Sequence, residues 1–316
     1  MPDRLTSDPT TLFVGLGRMG APMARRYAET RPTLVHDSDD AAVARTVSDS
    51  PAGPMTSLDQ IPASVDTVIL MLPHSGIVES VLLGPGGRGD GLFRRLSEGA
   101  LVIDMGSSRP ASTRALADHA ADLGLDFVDA PVSGGVAKAV DGTLSIMMGG
   151  ADGALDRAQP HVTPLGSQIF RLGPSGAGHC AKVLNNWLSA CNLAAAGEIL
   201  CIAAQAGIEP AAMLDTLNGS TGRNQATEVK YPAHVLTGTY GSGFAFDLMV
   251  KDLRTADEVK RGHSSYTPVL DAALDVIEKA GTFLGAGDRD HTEVAKFYQH
   301  ENGVVFDGTE TRKEAM

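Results

Sequence analysis

The segment Gly15-Leu16-Gly17-Arg18-Met19-Gly20 constrains the fold of this chain more than any other. It follows the apolar triplet Leu12-Phe13-Val14, which reads as a short buried strand, and it opens a helical pattern over 19–29. In a G-x-G-x-x-G turn the first glycine permits the tight bend and the second lets the backbone approach a pyrophosphate. The third lets the helix pack closely on the strand, so that its N-terminus meets the phosphates. A second strand, Thr33-Leu34-Val35-His36, ends on Asp37. That is roughly twenty residues after the turn begins, where a carboxylate accepts from the adenosine ribose hydroxyls. With 36 glycines in the chain the turn alone is a weak signal. Strand, turn, helix, strand and acid in this order favour a dinucleotide cofactor over a chance glycine turn. The candidate cofactor contacts are therefore Gly15, Leu16, Gly17, Arg18, Met19, Gly20 and Asp37. A carboxylate at Asp37 repels a 2′-phosphate, and Ser38-Asp39-Asp40 supplies no cation, which favours NAD. Arg18 and Arg45 keep NADP as the alternative.

The rest of the first half repeats the alternation. Val65 to Leu72 (VDTVILML) is a near-continuous apolar run, as a parallel strand covered on both faces requires. Leu101-Val102-Ile103-Asp104 and Phe127-Val128-Asp129 read as further strands, with Pro110 to Asp122 helical between them. Leu144 to Met148 and Ile169 to Leu172 close the series. After Gly173-Pro174 the pattern turns helical, with an amphipathic stripe at Leu270, Leu274, Ile277, Gly281 and Leu284. The expected organisation is a disordered lead-in over 1–10 and an α/β Rossmann-type domain with a mostly parallel sheet over 11–174. An all-α domain over 175–316, opened by a long helix, completes it.

A formal net charge of −12 argues against a nucleic-acid or anionic-membrane surface, which needs clustered Lys and Arg. Cys180, Cys191 and Cys201 share one predicted helix at spacings unsuited to a disulfide, which suits a reducing compartment. The polar N-terminus has no apolar signal core, and no apolar run is read as membrane-spanning, so the expected location is the cytoplasm.

The helix that opens the second half carries Lys182, Asn185 and Asn186 behind the glycine-rich turn Gly176-Ala177-Gly178. Lys182 and Asn186 fall on one face, and only Glu198 is charged further along. An ammonium on so apolar a helix must be paired or face a cavity. From the segment alone, an acid/base and a structural ion pair are equally good readings of Lys182. Ser133-Gly134-Gly135, after the Phe127–Asp129 strand, offers a hydroxyl and unhindered N–H groups suited to a carboxylate. Taken alone, it reads better as a turn chosen for its backbone angles. By itself, Lys251-Asp252-Leu253-Arg254 reads better as a solvated helix face with Lys251 and Asp252 in local ion pairs. Asp252 is either a partner supporting the site or a surface charge. No second histidine or paired carboxylate stands at ligand spacing from His179, so no metal site is expected.

Taken together, these segments resemble the β-hydroxyacid dehydrogenase family of 3-hydroxyisobutyrate dehydrogenases and tartronate semialdehyde reductases. The resemblance runs from about Leu12 to His291. It is carried by Gly15 to Gly20, Met71-Leu72-Pro73, Asp104-Met105-Gly106-Ser107, Asp129 to Gly135, and the lysine helix. Ser220-Thr221-Gly222-Arg223 and Lys251-Asp252-Leu253 complete it. The resemblance implies that Lys182 is the catalytic acid/base and that Asn186 holds substrate and orients the lysine. It implies that Ser133, Gly134 and Gly135 receive the substrate carboxylate and that Phe244 walls the cleft. Leu72, Pro73, Ser107 and Lys251 would then contact the cofactor. The chain departs from the family pattern at Gly106, where Ser or Thr is common, at Arg223-Asn224-Gln225, and in a longer tail over 296–316.

The reaction so implied is hydride transfer between NAD and a small 3-hydroxy acid or its semialdehyde, with Lys182 moving the proton. Burial and a positive nicotinamide would both lower the lysine from its ordinary pKa of about 10.4. The rival readings are an imine reductase on the same architecture, which usually lacks the lysine, and a non-catalytic dinucleotide-binding partner protein. A 6-phosphogluconate-type decarboxylating enzyme is disfavoured by chain length and the missing phosphate-binding cluster. The long apolar helix hints at a homodimer or homotetramer.

Overall fold

The computed structural model describes residues 10–87 and 89–306, which divide into two compact units between Lys182 and Val183. The first unit begins with β1 (Thr10–Val14), α1 (Gly20–Ala28), β2 (Thr33–His36), α2 (Asp40–Ser48), β3 (Gly53–Pro54), β4 (Val65–Leu70) and α3 (Ser75–Leu83). It continues with β5 (Leu101–Asp104), α4 (Pro110–Asp122), β6 (Asp126–Asp129), β7 (Val132–Ser133) and α5 (Gly135–Asp141). The last elements are β8 (Leu144–Gly149), α6 (Asp152–Val162) and β9 (Gly166–Gly173).

The strands form one sheet in the order β3-β2-β1-β4-β5-β6-β8-β7, with β9 also paired to β8. Pairing is parallel from β3 to β6 and between β8 and β9. It is antiparallel where β8 meets β6 and β7. The chain builds β1 to β3 outward and then returns to β4 on the other side of β1. That reversal leaves a crevice at the carboxyl end of β1, where ligands of such sheets bind. Alternating residues explain the two covered faces: Phe13, Val35, Ile69 and Ile103 join one core, and Leu12, Val14, Val68 and Val102 the other.

Two expectations about the first unit change in detail. Thr10 was placed in the lead-in but is the first residue of β1, its N–H donating to the Ser64 carbonyl at 2.9 Å. Residues 1–9 lie outside the described residues. The antiparallel β7 also went unread, because two residues between Pro131 and a glycine pair carry no period.

Helix α7 (Ala177–Gln205) spans the division and leads into α8 (Pro210–Asn218), a π-helical segment (Ala226–Val235), α9 (Phe246–Gly262), α10 (Pro268–Leu284) and α11 (Val294–Asn302). Trp187, Tyr231, Phe246, Leu253 and Ile277 fill the core of the second unit. The polar ends of two of these aromatics are satisfied: Trp187 Nε1 donates to the Leu270 carbonyl at 3.1 Å and the Tyr231 hydroxyl to that of Leu193 at 2.9 Å. The sequence reading found no run of membrane-spanning length. By length and composition α7 does qualify, with 29 residues and a mean hydropathy of 1.5 in its most apolar window. Its two charges, Lys182 and Glu198, are too few to lower that mean. Half of the window is buried within the protein, which is also the signature of a core helix. All three cysteines sit on α7 and are free. The expected tail begins inside α11, and residues 307–316 lie outside the described residues.

Candidate active site

The glycine turn after β1 shows which of its residues the chain needs for itself. Gly15 has φ of 97°, a left-handed value that glycine adopts without strain. A Cβ on Gly15 would overlap the Met71 carbonyl oxygen, and one on Gly20 would overlap the Gly15 carbonyl oxygen. Gly17 differs: it is exposed, and a Cβ there would find nothing within 4 Å. Leu16 is buried and its N–H donates to Asp37 Oδ2 at 2.6 Å, while Asp37 Oδ1 accepts from the Asp39 N–H at 2.9 Å. Asp37 thus ties β2 to the turn as well as ending the strand. Arg18 is exposed and Met19 half-buried.

A groove of about 490 Å³ runs beside this turn, with Gly17, Arg18, Arg25, Asp37, Asp39 and Arg45 in its wall. Arg45 is paired with Asp39 at 3.4 Å and Arg25 with Asp49 at 3.2 Å. The open backbone at Gly17, the start of α1 and the adjoining groove fit a dinucleotide, since they offer N–H groups and room where a pyrophosphate needs both.

The ends of β5 and β6 hold the next group of residues. Asp104 and Asp129 are register partners on adjacent strands, and both are fully buried. Asp104 Oδ1 accepts from the Gly106 N–H at 3.0 Å and Oδ2 from the Ser108 hydroxyl at 2.8 Å. Half-buried Ser107 is held between those two anchors. A Cβ on Gly106 would stand 2.6 Å from the Leu72 carbonyl oxygen, which explains the departure from Ser or Thr at that position. Leu72 is half-buried and Pro73 exposed, directly after β4.

Asp129 reaches the other way, to the start of α7. Its Oδ1 accepts from the Gly176 N–H at 2.7 Å and its Oδ2 from the His179 N–H at 2.8 Å. Burial pushes the Asp129 carboxyl above the usual carboxylate range, against the pull of His179 and those two N–H groups. Half-buried Lys182 follows His179 by three residues on the same helix. Ser133 ends β7 opposite Ser145, and Gly134 and Gly135 follow with φ of 140° and 74°. The backbone angles therefore require glycine at both positions. The same turn leaves both glycines exposed, so the two readings of it are compatible.

In the second unit Asn186 and Lys251 share one acceptor. Asn186 Nδ2 donates to Asp252 Oδ2 at 2.6 Å, and Lys251 Nζ lies 2.9 Å from Asp252 Oδ1. Asp252 is buried, which corrects the solvated-face reading of Lys251-Asp252. The sequence could not show that α9 turns this pair toward α7. Phe244 is half-buried with its ring edge-on to His291, centroids 5.3 Å apart. Asn224 Oδ1 accepts from the Ala226 and Thr227 N–H groups at 2.9 and 3.2 Å, capping the π-helical segment, and Arg223 is exposed beside Glu228. Among the described residues no group of three His, Cys, Asp or Glu could hold a metal ion.

Comparison with known proteins settles the ancestry. The family profile for the NAD binding domain of 6-phosphogluconate dehydrogenase matches residues 10–173, and that for the NAD-binding of NADP-dependent 3-hydroxyisobutyrate dehydrogenase matches 176–298. The chain is 35% identical over 297 residues to 2-(hydroxymethyl)glutarate dehydrogenase of Eubacterium barkeri, covering 94% of this chain and 97% of that one. It belongs to the β-hydroxyacid dehydrogenase family.

Other members of this family are similarly near. The NAD-dependent L-serine dehydrogenase of Pseudomonas aeruginosa is 35% identical, with 92% of this chain and 98% of that protein covered. The structure of Mycobacterium tuberculosis 3-hydroxyisobutyrate dehydrogenase with L-serine superposes with a TM-score of 0.82 at 28% identity, covering 92% of this chain and 99% of that one. A Streptomyces aurantiacus imine reductase shares the fold at 17% identity with a TM-score of 0.59. Within this β-hydroxyacid dehydrogenase the sequence reading missed Asp104, Asp129 and His179 as organisers and left Asp252 open. An aspartate ending each of two apolar strands was the available signal for the first pair.

Proposed function

We propose that this chain is an NAD-dependent dehydrogenase that interconverts a small 3-hydroxy acid and its semialdehyde, with Lys182 as the proton-transfer group. The observation that carries the reading is the lysine one turn beyond the anchored start of α7, on a unit that also holds a dinucleotide-type glycine turn closed by Asp37. The relatives' names support the reaction class, two of them being dehydrogenases of hydroxymethyl-bearing acids.

Gly15 to Gly20 and Asp37 would hold the cofactor, with Leu72, Pro73, Ser107 and Lys251 as further contacts on the family pattern. When bound, the nicotinamide supplies the hydride acceptor for oxidation and the donor for reduction. Ser133, Gly134 and Gly135 receive the substrate carboxylate through a hydroxyl and backbone N–H groups. Lys182 Nζ takes the hydroxyl proton as the alcohol is oxidised and returns it when the aldehyde is reduced. Asn186, its amide nitrogen held by Asp252, helps to bind the substrate and to orient the lysine on the family pattern. Phe244 shapes the substrate side.

Asp37 supports NAD over NADP, because its carboxylate at the end of β2 would repel a 2′-phosphate, and Arg45 beside it is drawn to Asp39 at 3.4 Å. Leu184, Leu188 and Ile202 of α7 are exposed at 42%, 60% and 60%, which supports self-association as a dimer or tetramer.

NADH formation with 3-hydroxyisobutyrate, 3-hydroxypropionate, glycerate, serine, 4-hydroxybutyrate and 2-(hydroxymethyl)glutarate tests the reaction class and ranks the substrates. Lys182→Ala should abolish turnover with NADH binding retained. A variant that still turns over removes Lys182 from its role, and a clear NADP preference overturns the cofactor assignment.

A further inference from the structure

His179 stands at the crossing of three segments of the first unit and is fully buried. Its Nδ1 lies 2.7 Å from Thr113 Oγ1 on α4. The Thr113 hydroxyl already donates to the Arg109 carbonyl at 3.1 Å, so its oxygen is the acceptor and His179 Nδ1 carries the hydrogen. Nε2 has no hydrogen-bond partner and lies 3.7 Å from Asp104 Oδ2, the oxygen that accepts from Ser108. On the other side Nδ1 is 3.8 Å from Asp129 Oδ2, which also accepts from the His179 N–H. One imidazole thus fills the space between two buried carboxylates that end adjacent strands.

Each carboxylate organises a different functional segment. Asp104 holds the Gly106 N–H and the Ser108 hydroxyl, with Ser107 between them. Asp129 holds Gly176 and His179, the first turn of the helix that carries Lys182. The packing there leaves no slack. A Cβ on Gly178 would overlap the Met147 carbonyl oxygen, and one on Gly149 would stand 2.8 Å from both Asp129 Oδ1 and the Gly178 nitrogen. Neither the glycine turn nor the Ser133 turn takes part; of the groups assigned to binding, only Ser107 lies on a segment that the cluster holds.

We infer that His179 is a positioning residue that locks the Ser107 turn and the first turn of α7 into one block, and so sets where Lys182 stands against the Ser107 segment. The inference rests on the proposed dehydrogenase reading for its catalytic consequence, while its structural half stands without it. A misplacement of about 1 Å at a reacting group costs up to about 100-fold in rate, so a loosened block is read in kcat before it is read in KM.

The test compares His179→Leu, which keeps volume and loses the Nδ1 donor, with His179→Asn, whose amide nitrogen restores a donor to Thr113. Hydrogen exchange on the cofactor-free protein should accelerate over both 105–109 and 176–182 in His179→Leu and return toward wild type in His179→Asn. kcat should fall about 10- to 100-fold in the leucine variant, with KM and NADH affinity within about threefold, and recover in the asparagine variant. Thr113→Val serves if His179→Leu does not fold: it removes the ring's partner together with the bond to the Arg109 carbonyl, so exchange at 105–107 and at 176–182, away from Arg109, is what should accelerate. Exchange confined to 176–182, or lost equally in the leucine and asparagine variants, overturns the coupling. If exchange responds as expected but the wild type oxidises no hydroxy acid, the proposed reaction fails and the block remains.

Discussion

Substituting alanine at the second and third glycines of the β1–α1 turn separates what the fold needs from what the ligand needs. Gly17 has an ordinary φ and no atom within 4 Å of a Cβ. Alanine there is unstrained and narrows the unfolded ensemble, so Gly17→Ala should stabilise the cofactor-free protein by about 0.4–1 kcal/mol. For a unit of this size that raises the melting temperature by about 1–4 °C. On the proposed cofactor reading the same methyl would meet the pyrophosphate, so NADH should bind at least about tenfold more weakly, roughly 1.4 kcal/mol. Gly20→Ala meets the Gly15 carbonyl oxygen inside contact distance and forces the backbone of α1 away from β1. Overpacking of this kind costs about 1–3 kcal/mol and lowers the melting temperature. Thermal melts without cofactor and NADH fluorescence titration give both quantities. A Gly17→Ala protein that is destabilised like Gly20→Ala, or that binds NADH as wild type does, refutes the reasoning.

Three further outcomes follow from individual contacts. Asp252→Ala removes the shared acceptor of Asn186 and Lys251 and should cost about 1.5–3 kcal/mol in urea unfolding together with most of kcat; unchanged unfolding would show the contact to be incidental. Asp37→Ala should raise the KM for NAD about tenfold or more and improve NADP, and it should loosen the turn because Leu16 loses its acceptor; a KM ratio that stays put sinks the cofactor argument. Burial, helped by Arg31, holds His161 down at about 4 instead of 6.5, so the folded chain binds fewer protons than the unfolded chain in that window. Its contribution is complete above pH 6.5 and is lost as pH falls toward 4, by about 1 kcal/mol after solvent screening. His161→Gln should flatten the fall in urea midpoint between pH 7 and 5, and an unaltered slope would exclude His161 as its source.

Legibility in the sequence tracked the range of the interactions. The strand before Gly15, the helix after it and Asp37 closing β2 were readable because each signal is carried by near neighbours. The same holds for α7, whose apolar length and glycine-rich start announced it, and for the lack of strand elements after Gly173 among the described residues. The solvated reading of Lys251-Asp252 failed because α9's own pattern does not say which neighbour it meets. Asn186 and Asp252 are 66 residues apart and pair only when α7 and α9 pack. His179 was noticed as a lone histidine near the lysine, and nothing local revealed that it fills the gap between two buried carboxylates.

Hydrophobic period, glycine placement and an acid at a strand end are enough to select an α/β sheet with a dinucleotide-type turn and a helical second half. Those signals act over a few residues, within the reach of backbone sterics and side-chain alternation. The environment of a charged or polar side chain is a different matter. Asp104 and Asp129 become a pair only through strand register, His179 joins them from 50 residues beyond Asp129, and Asp252 is buried only by helix packing. Burial and partnership are properties of the assembled chain, because the desolvation that makes a carboxylate seek a donor exists only once the surrounding elements have closed over it.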